Sequence, residues 1–96
     1  MTTFFISRHP GAIQWVNQQG ITIDRFEAHL HLDDVAAGDT VVGTLPIPMV
    51  FALSQKGVRY LHLSVELPSS LRGQELSAEQ MTALGASLQA YNVEAL

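Results

Sequence analysis

The chain has 96 residues, of which 47% are hydrophobic and 15% are charged, and it has a net charge of −4 and no cysteine. This composition predicts one globular domain over residues 1–96 and excludes intrinsic disorder, disulfide bonds and thiolate metal sites. Five Lys and Arg residues are too few for the basic stripe of a protein that binds duplex nucleic acid. No apolar run is long enough for a membrane span. The lack of cysteine fits a cytoplasmic protein.

The first strand, helix and second strand are delimited by proline and glycine. Residues 2–7 are rich in Phe and Ile and predict a short buried strand. Pro10 suits the first turn of the helix that follows, because an N–H group has no partner there, and Gly20 ends that helix. Residues 25–32 predict the second strand.

Two histidines lie two positions apart in the predicted second strand. His29 and His31 would therefore point to the same face of the sheet. With Asp33 or Asp34 they resemble part of a metal site, but a third ligand at a diagnostic spacing is missing. We therefore expect structural or surface histidines, and no metal or other cofactor.

The next segment repeats the plan of strand, polar residues, proline, helix and glycine. Residues 40–45 predict a third strand that is apolar on both faces, as in a parallel sheet. Pro46 begins the second helix and Gly57 ends it, and residues 58–67 predict the fourth strand.

The last third of the sequence predicts a third helix. Ser77 and Gln80 have the spacing of a capping box, in which the Ser hydroxyl accepts from the N–H three residues on and the Gln side chain reaches back. The apolar residues of this helix would line one face: Met81, Leu84, Leu88 and Tyr91.

The predicted fold is α/β, a small Rossmann-like parallel sheet. Two strand–helix–strand units with right-handed crossovers give a sheet with helices on both faces. The expected strand order is 2-1-3-4, which places the first and third strands side by side at the centre. Open α/β sheets bind ligands at such a switch point, at the carboxyl ends of the strands.

Two polar elbows are expected to meet at that point: residues 7–11 after the first strand (the first elbow) and residues 43–46 after the third (the second elbow). Arg binds phosphate oxygens in a fork, imidazole gains or loses a proton near neutral pH, and helix N-termini favour anions. The sequence therefore predicts a phosphodiester site. Candidate catalytic residues are Ser7, Arg8 and His9, and candidate ligand-binding residues are Gly11, Gly43, Thr44 and Arg72. Strand ends and helix caps use the same residue types, so a purely structural role is the alternative.

Four segments, ISRHPGAIQW, GDTVVGTLP, YLHLSVELP and RGQELSAEQ, occur in the order found in one small family. The chain resembles the roughly hundred-residue accessory proteins of type III CRISPR systems, the sixteenth of the numbered accessory families. The resemblance spans nearly the whole chain.

The resemblance implies a Rossmann-like domain similar to the CARF domains that sense cyclic oligoadenylates. It further implies a ring nuclease that opens cyclic tetra-adenylate without a metal, and a homodimer whose twofold axis suits the symmetric ring. In that role Arg8 would neutralise the scissile phosphate, His9 would act as acid or base, and Ser7 and Thr44 would fix oxygens. Two alternatives stay open: a non-catalytic sink for the same ring, and a protein-interaction module.

Overall fold

Residues 1–71 and 73–96 are described by the computed structural model, and they contain five strands, three α-helices and two 3-10 helices. In chain order the elements are β1 (Thr3–Ile6), α1 (Pro10–Gln18), β2 (Arg25–Glu27), a 3-10 helix (Leu32–Asp34), β3 (Thr40–Gly43), α2 (Ile47–Lys56), β4 (Arg59–Ser64), a second 3-10 helix (Ser69–Leu71), α3 (Ala78–Ala83) and β5 (Ser87–Tyr91). No helix among the described residues is both long enough and apolar enough to cross a bilayer.

The strands form one sheet in the order β2-β1-β3-β4-β5. The first four run parallel, and β1 pairs with β2 on one side and with β3 on the other. This confirms the predicted order 2-1-3-4 and the switch point between β1 and β3. The sheet is mixed rather than wholly parallel, because β5 pairs antiparallel with β4.

Helices cover both faces of the sheet, as predicted. Successive strand residues point to opposite faces, so Phe5 packs in a cluster with α1 and α3, whereas Phe4 packs in a cluster with α2. The clusters contain Trp15 on the first face and Leu53 on the second, both buried. The central strands are apolar on both faces because each face is covered.

The predicted second strand was too long. Pairing between β1 and β2 ends at Ile6 and Glu27, after a last hydrogen bond from the Ser7 N–H to the Glu27 carbonyl at 3.0 Å. Beyond that point β1 has turned toward α1 and offers no further partner. His29 and His31 therefore lie in the connection after β2, and their expected common strand face does not exist.

The predicted third helix was also too long. Its capping box is present as expected, with both Ser77–Gln80 hydrogen bonds formed, but α3 ends at Ala83. Gly85 has a φ of +75°, a left-handed conformation that ends helices, and the chain then runs back along the open edge of β4. Leu88 and Tyr91 consequently belong to β5.

Two carboxylates accept hydrogen bonds from backbone N–H groups near the amino ends of the strands. Asp39 is buried, and its side chain accepts hydrogen bonds from the Thr2 and Ala36 N–H groups, each at 2.9 Å. These bonds, that of Ala36 first, hold the pKa of the Asp39 carboxyl below its ordinary value. Asp24 similarly accepts from the Thr3 N–H at 2.8 Å.

Candidate functional site

A cleft of about 670 Å³, termed the main cleft, opens at the carboxyl ends of β1 and β3. Both elbows line it, together with the connection after β2 and the segment 73–76. The polar side chains in its wall include those of Ser7, Arg8, His9, His29, Thr44 and Glu75. Apolar side chains such as Phe5, Met49 and Leu63 line the remainder.

The first elbow presents its side chains to solvent. Arg8 and His9 are exposed, and the Ser7 hydroxyl oxygen accepts a hydrogen bond from the His9 N–H at 3.1 Å. Among the described residues, the ion pairs are made by Arg25, and Arg8 makes none. The guanidinium and the imidazole of this elbow are therefore available to a ligand.

The N-terminus of α1 offers fewer donors than the sequence predicted. Pro10 has no N–H, and the Ala12 and Ile13 N–H groups already donate to the His9 carbonyl at 3.1 and 3.2 Å. In the part of the chain that the structure describes, the Gly11 N–H is left as the free donor of this helix end. An anion would consequently be held mainly by side chains.

The second elbow is tied to β4. The Thr44 hydroxyl donates to the Leu63 carbonyl at 2.7 Å, and the Leu45 N–H donates to the Tyr60 phenol oxygen at 3.0 Å. The Tyr60 hydroxyl in turn donates to the Gly43 carbonyl at 3.0 Å. Burial raises the pKa of this phenol, so it stays a neutral hydrogen-bonding group.

His62 completes the arrangement around Tyr60. Its Nδ1 lies 2.6 Å from the Tyr60 oxygen. A phenol has one proton, which goes to the Gly43 carbonyl, so every group is satisfied when His62 Nδ1 carries a proton and donates it to that oxygen. His62 and Ser64 line a separate cleft of about 350 Å³ beside Tyr91.

The structure brings five of the seven candidate residues together in the main cleft: Ser7, Arg8, His9, Gly43 and Thr44. Gly43 lies opposite Ile6, and a Cβ there would stand 3.2 Å from the Ile6 carbonyl oxygen, so glycine allows β1 and β3 to approach closely. Gly11 is not in the cleft wall; it packs against the Leu76 carbonyl, where a Cβ would overlap the oxygen. Arg72 lies outside the described residues.

Sequence reasoning missed His29 as a cleft residue. The connection after β2 reaches the same edge of the sheet as the first elbow, and His29 lines the main cleft there. His31, which precedes the 3-10 helix, is exposed and is not in the cleft wall. Over residues 1–71 and 73–96, no group of three or more His, Asp or Glu residues is arranged to hold a metal ion.

The main cleft combines one guanidinium, two imidazoles, two hydroxyls, one carboxylate and one amide with apolar walls. Guanidinium binds phosphate oxygens through two parallel hydrogen bonds, and imidazoles transfer protons near neutral pH. Apolar and aromatic surface accepts the faces of nucleobases. The arrangement thus suits a nucleotide phosphodiester.

Residues 4–94 match the model of a family described as "Putative CRISPR-associated protein (Cas_VVA1548)". The matched range contains both elbows and His29. A search of the curated proteins and a search of the solved structures each found no match.

Proposed function

The chain belongs to this family of CRISPR-associated proteins, and from that premise we propose that it is a ring nuclease. It opens cyclic tetra-adenylate in the cytoplasm, without a metal, and so ends type III CRISPR antiviral signalling. The observation that supports this proposal is the convergence of Arg8, His9 and Thr44 from two elbows on one cleft.

The proposed reaction is attack of a ribose 2′-hydroxyl on the neighbouring phosphorus. The O2′–P bond forms and the P–O5′ bond breaks, giving a linear adenylate with a 2′,3′-cyclic phosphate and a 5′-hydroxyl. The nucleophile is part of the substrate, so positioning alone lowers the barrier, by up to about 7–11 kcal/mol in well-oriented intramolecular reactions.

Side chains of the first elbow supply the remaining stabilisation. Arg8 binds the non-bridging oxygens of the phosphate, and one such contact contributes about 2.7–4 kcal/mol in a transition state. His9 moves a proton, a role that contributes roughly 10²–10⁴-fold in rate. The Ser7 oxygen accepts from the His9 N–H and keeps its own proton, so it donates to a phosphate oxygen.

Thr44 acts differently from Ser7. Its hydroxyl proton is engaged by the Leu63 carbonyl, so Thr44 meets a ligand as a hydrogen-bond acceptor. It would therefore receive a hydrogen bond from a ribose hydroxyl or an adenine amino group, whereas a phosphate oxygen needs a donor. We therefore assign phosphate binding to the first elbow in this proposal.

We also propose that the active form is a homodimer. A cleft of about 670 Å³ has the size of a pocket for one drug-sized ligand. A ring of four nucleotides is larger, and two clefts facing each other across a twofold axis would match its symmetry.

The test is incubation of the purified protein with cyclic tetra-adenylate in EDTA, followed by chromatography and mass spectrometry of the products. We expect linear adenylate that ends in a 2′,3′-cyclic phosphate, and a dimer by light scattering. If the ring is bound stoichiometrically but stays intact, the result would contradict the enzyme and support a non-catalytic sink. A ring that is neither cut nor bound would favour a protein-interaction module.

A further inference from the structure

We propose that His29, in the connection after the neighbouring strand β2, is a second acid–base catalyst of the ring opening, working with His9. This inference rests on the proposed function and deepens it. Attack by the 2′-oxygen and departure of the 5′-oxygen take place on opposite sides of the phosphorus. Two proton-transfer groups that reach the phosphate from different directions would therefore assist both bond formation and bond cleavage.

The topology puts two imidazoles at one edge of the sheet. β1 and β2 are paired parallel up to Ile6 and Glu27, and neighbouring strands lie about 4.8 Å apart. His9 follows the end of β1 and His29 follows the end of β2, and both side chains are exposed and line the main cleft. The second elbow flanks His9 on the other side, because β3 is the other neighbour of β1.

The groups that face the imidazoles are few. Among the described residues, the other titratable side chains in the cleft wall are Arg8, on the first elbow, and Glu75, on the segment 73–76. Residues 43–46 of the second elbow contribute none. Glu27, at the end of β2, is paired with Arg25 at 2.6 Å.

The proton balance closes with the two histidines alone. One imidazole, neutral at the start, takes the 2′-hydroxyl proton as the O2′–P bond forms. The other, protonated at the start, gives its proton to the 5′-oxygen as the P–O5′ bond breaks. Each then holds the other's initial protonation state and is reset by exchange with solvent, so no co-reactant is required.

The experiment compares His29→Ala with His31→Ala, a matched control, because His31 is an exposed histidine of the same connection that lies outside the cleft wall. We expect His29→Ala to lower kcat by roughly 10²-fold or more while the Kd of the ring is kept. We expect His31→Ala to behave as wild type. We expect wild-type kcat to show a bell-shaped pH profile, with one limb lost in His29→Ala and the opposite limb lost in His9→Ala.

A substrate with sulfur in place of one bridging 5′-oxygen identifies the acid, because thiolate leaves without a proton. We expect this substrate to restore the cleavage rate in one of the two variants, His9→Ala or His29→Ala, and not in the other. A wild-type protein that leaves the ring intact would overturn the proposed function. A wild-type protein that cleaves, with His29→Ala equally fast and with an unchanged pH profile, would overturn only the role of His29.

Discussion

The two ends of the sheet use their polar groups in opposite ways. At the amino ends of the strands, the carboxylates of Asp39 and Asp24 are hydrogen-bonded to backbone N–H groups. At the carboxyl ends, Arg8, His9 and His29 are exposed around the main cleft. Polar groups bonded within the fold stabilise it, and groups left open can bind and react. Substitutions at the two ends should therefore separate stability from activity.

The two elbows show the same contrast at short range. The first elbow is anchored to the end of β2 by the Ser7 N–H and leaves the side chains of Arg8 and His9 exposed, whereas the second elbow is held by the side chains of Thr44 and Tyr60. We therefore expect substitutions in the first elbow to change ligand binding and turnover, and substitutions in the second elbow to change the position of the cleft wall. The predictions below test this division, beginning with the largest expected effect.

His9→Ala should give the largest loss. Without this imidazole, we expect kcat to fall by roughly 10²–10⁴-fold, with the Kd of cyclic tetra-adenylate and the melting temperature preserved because His9 is exposed. Single-turnover kinetics and calorimetry measure the two quantities. Full activity in this variant would move the proton transfer away from the first elbow.

Arg8→Ala should weaken both binding and turnover. Removal of one transition-state contact to the phosphate lowers kcat/KM by about 10²–10³-fold, and the Kd should rise because the charge pairing also acts in the ground state. Arg8→Lys should recover only part of the loss, since an ammonium lacks the fork. Arg59→Ala is the control, because Arg59 is an exposed arginine at the amino end of β4. Equal losses in both arginine variants would contradict the proposed contact.

Tyr60→Phe should affect stability and activity together, but less strongly than the changes in the first elbow. It leaves the Leu45 N–H and the Gly43 carbonyl without their partner, and an unsatisfied buried group costs about 1–3 kcal/mol. We expect a lower free energy of unfolding by urea denaturation and a reduced kcat. The exposed Tyr91 supplies the control variant, Tyr91→Phe. An unchanged free energy of unfolding in Tyr60→Phe would show that the second elbow keeps its position without the Tyr60 hydroxyl.

Asp39→Asn should have the smallest effect on activity and a distinct pH signature. The folded pKa of Asp39 lies below its ordinary value of 3.8, so its carboxylate stabilises the fold above that pH and loses the contribution as pH falls through the folded pKa. Wild type should therefore be destabilised by acid more than Asp39→Asn, while kcat at neutral pH is equal in both. Melting temperatures across the acid range, with Asp33→Asn as an exposed control, measure this. Parallel acid curves for wild type and Asp39→Asn would contradict it.

Proline and glycine made the central part of the fold predictable from the sequence. Pro10, Pro46 and Gly57 mark where helices begin and end, and the apolar third strand indicated a sheet covered on both faces. These local signals were sufficient for the order of the first four strands. They also brought Ser7 and Thr44 to the same cleft.

What the sequence did not reveal depends on contacts between distant segments. Leu84, Leu88 and Tyr91 fit a helical period, and only the left-handed Gly85 beside an open strand edge directs the chain into β5. The position of His29 likewise depends on where β1 stops offering a partner to β2. The hydrogen bond that takes the Thr44 proton joins residues 19 positions apart.

The close contact between Gly11 and the Leu76 carbonyl has a consequence for the energetics of recognition. It fixes the first turn of α1 against the segment 73–76, which also lines the main cleft, and the Ser77 capping box follows directly at the end of that segment. The two walls are thus preorganised before a ligand arrives. A ligand that fits the main cleft loses little free energy to ordering of the protein, and a ligand that does not fit cannot easily widen the cleft.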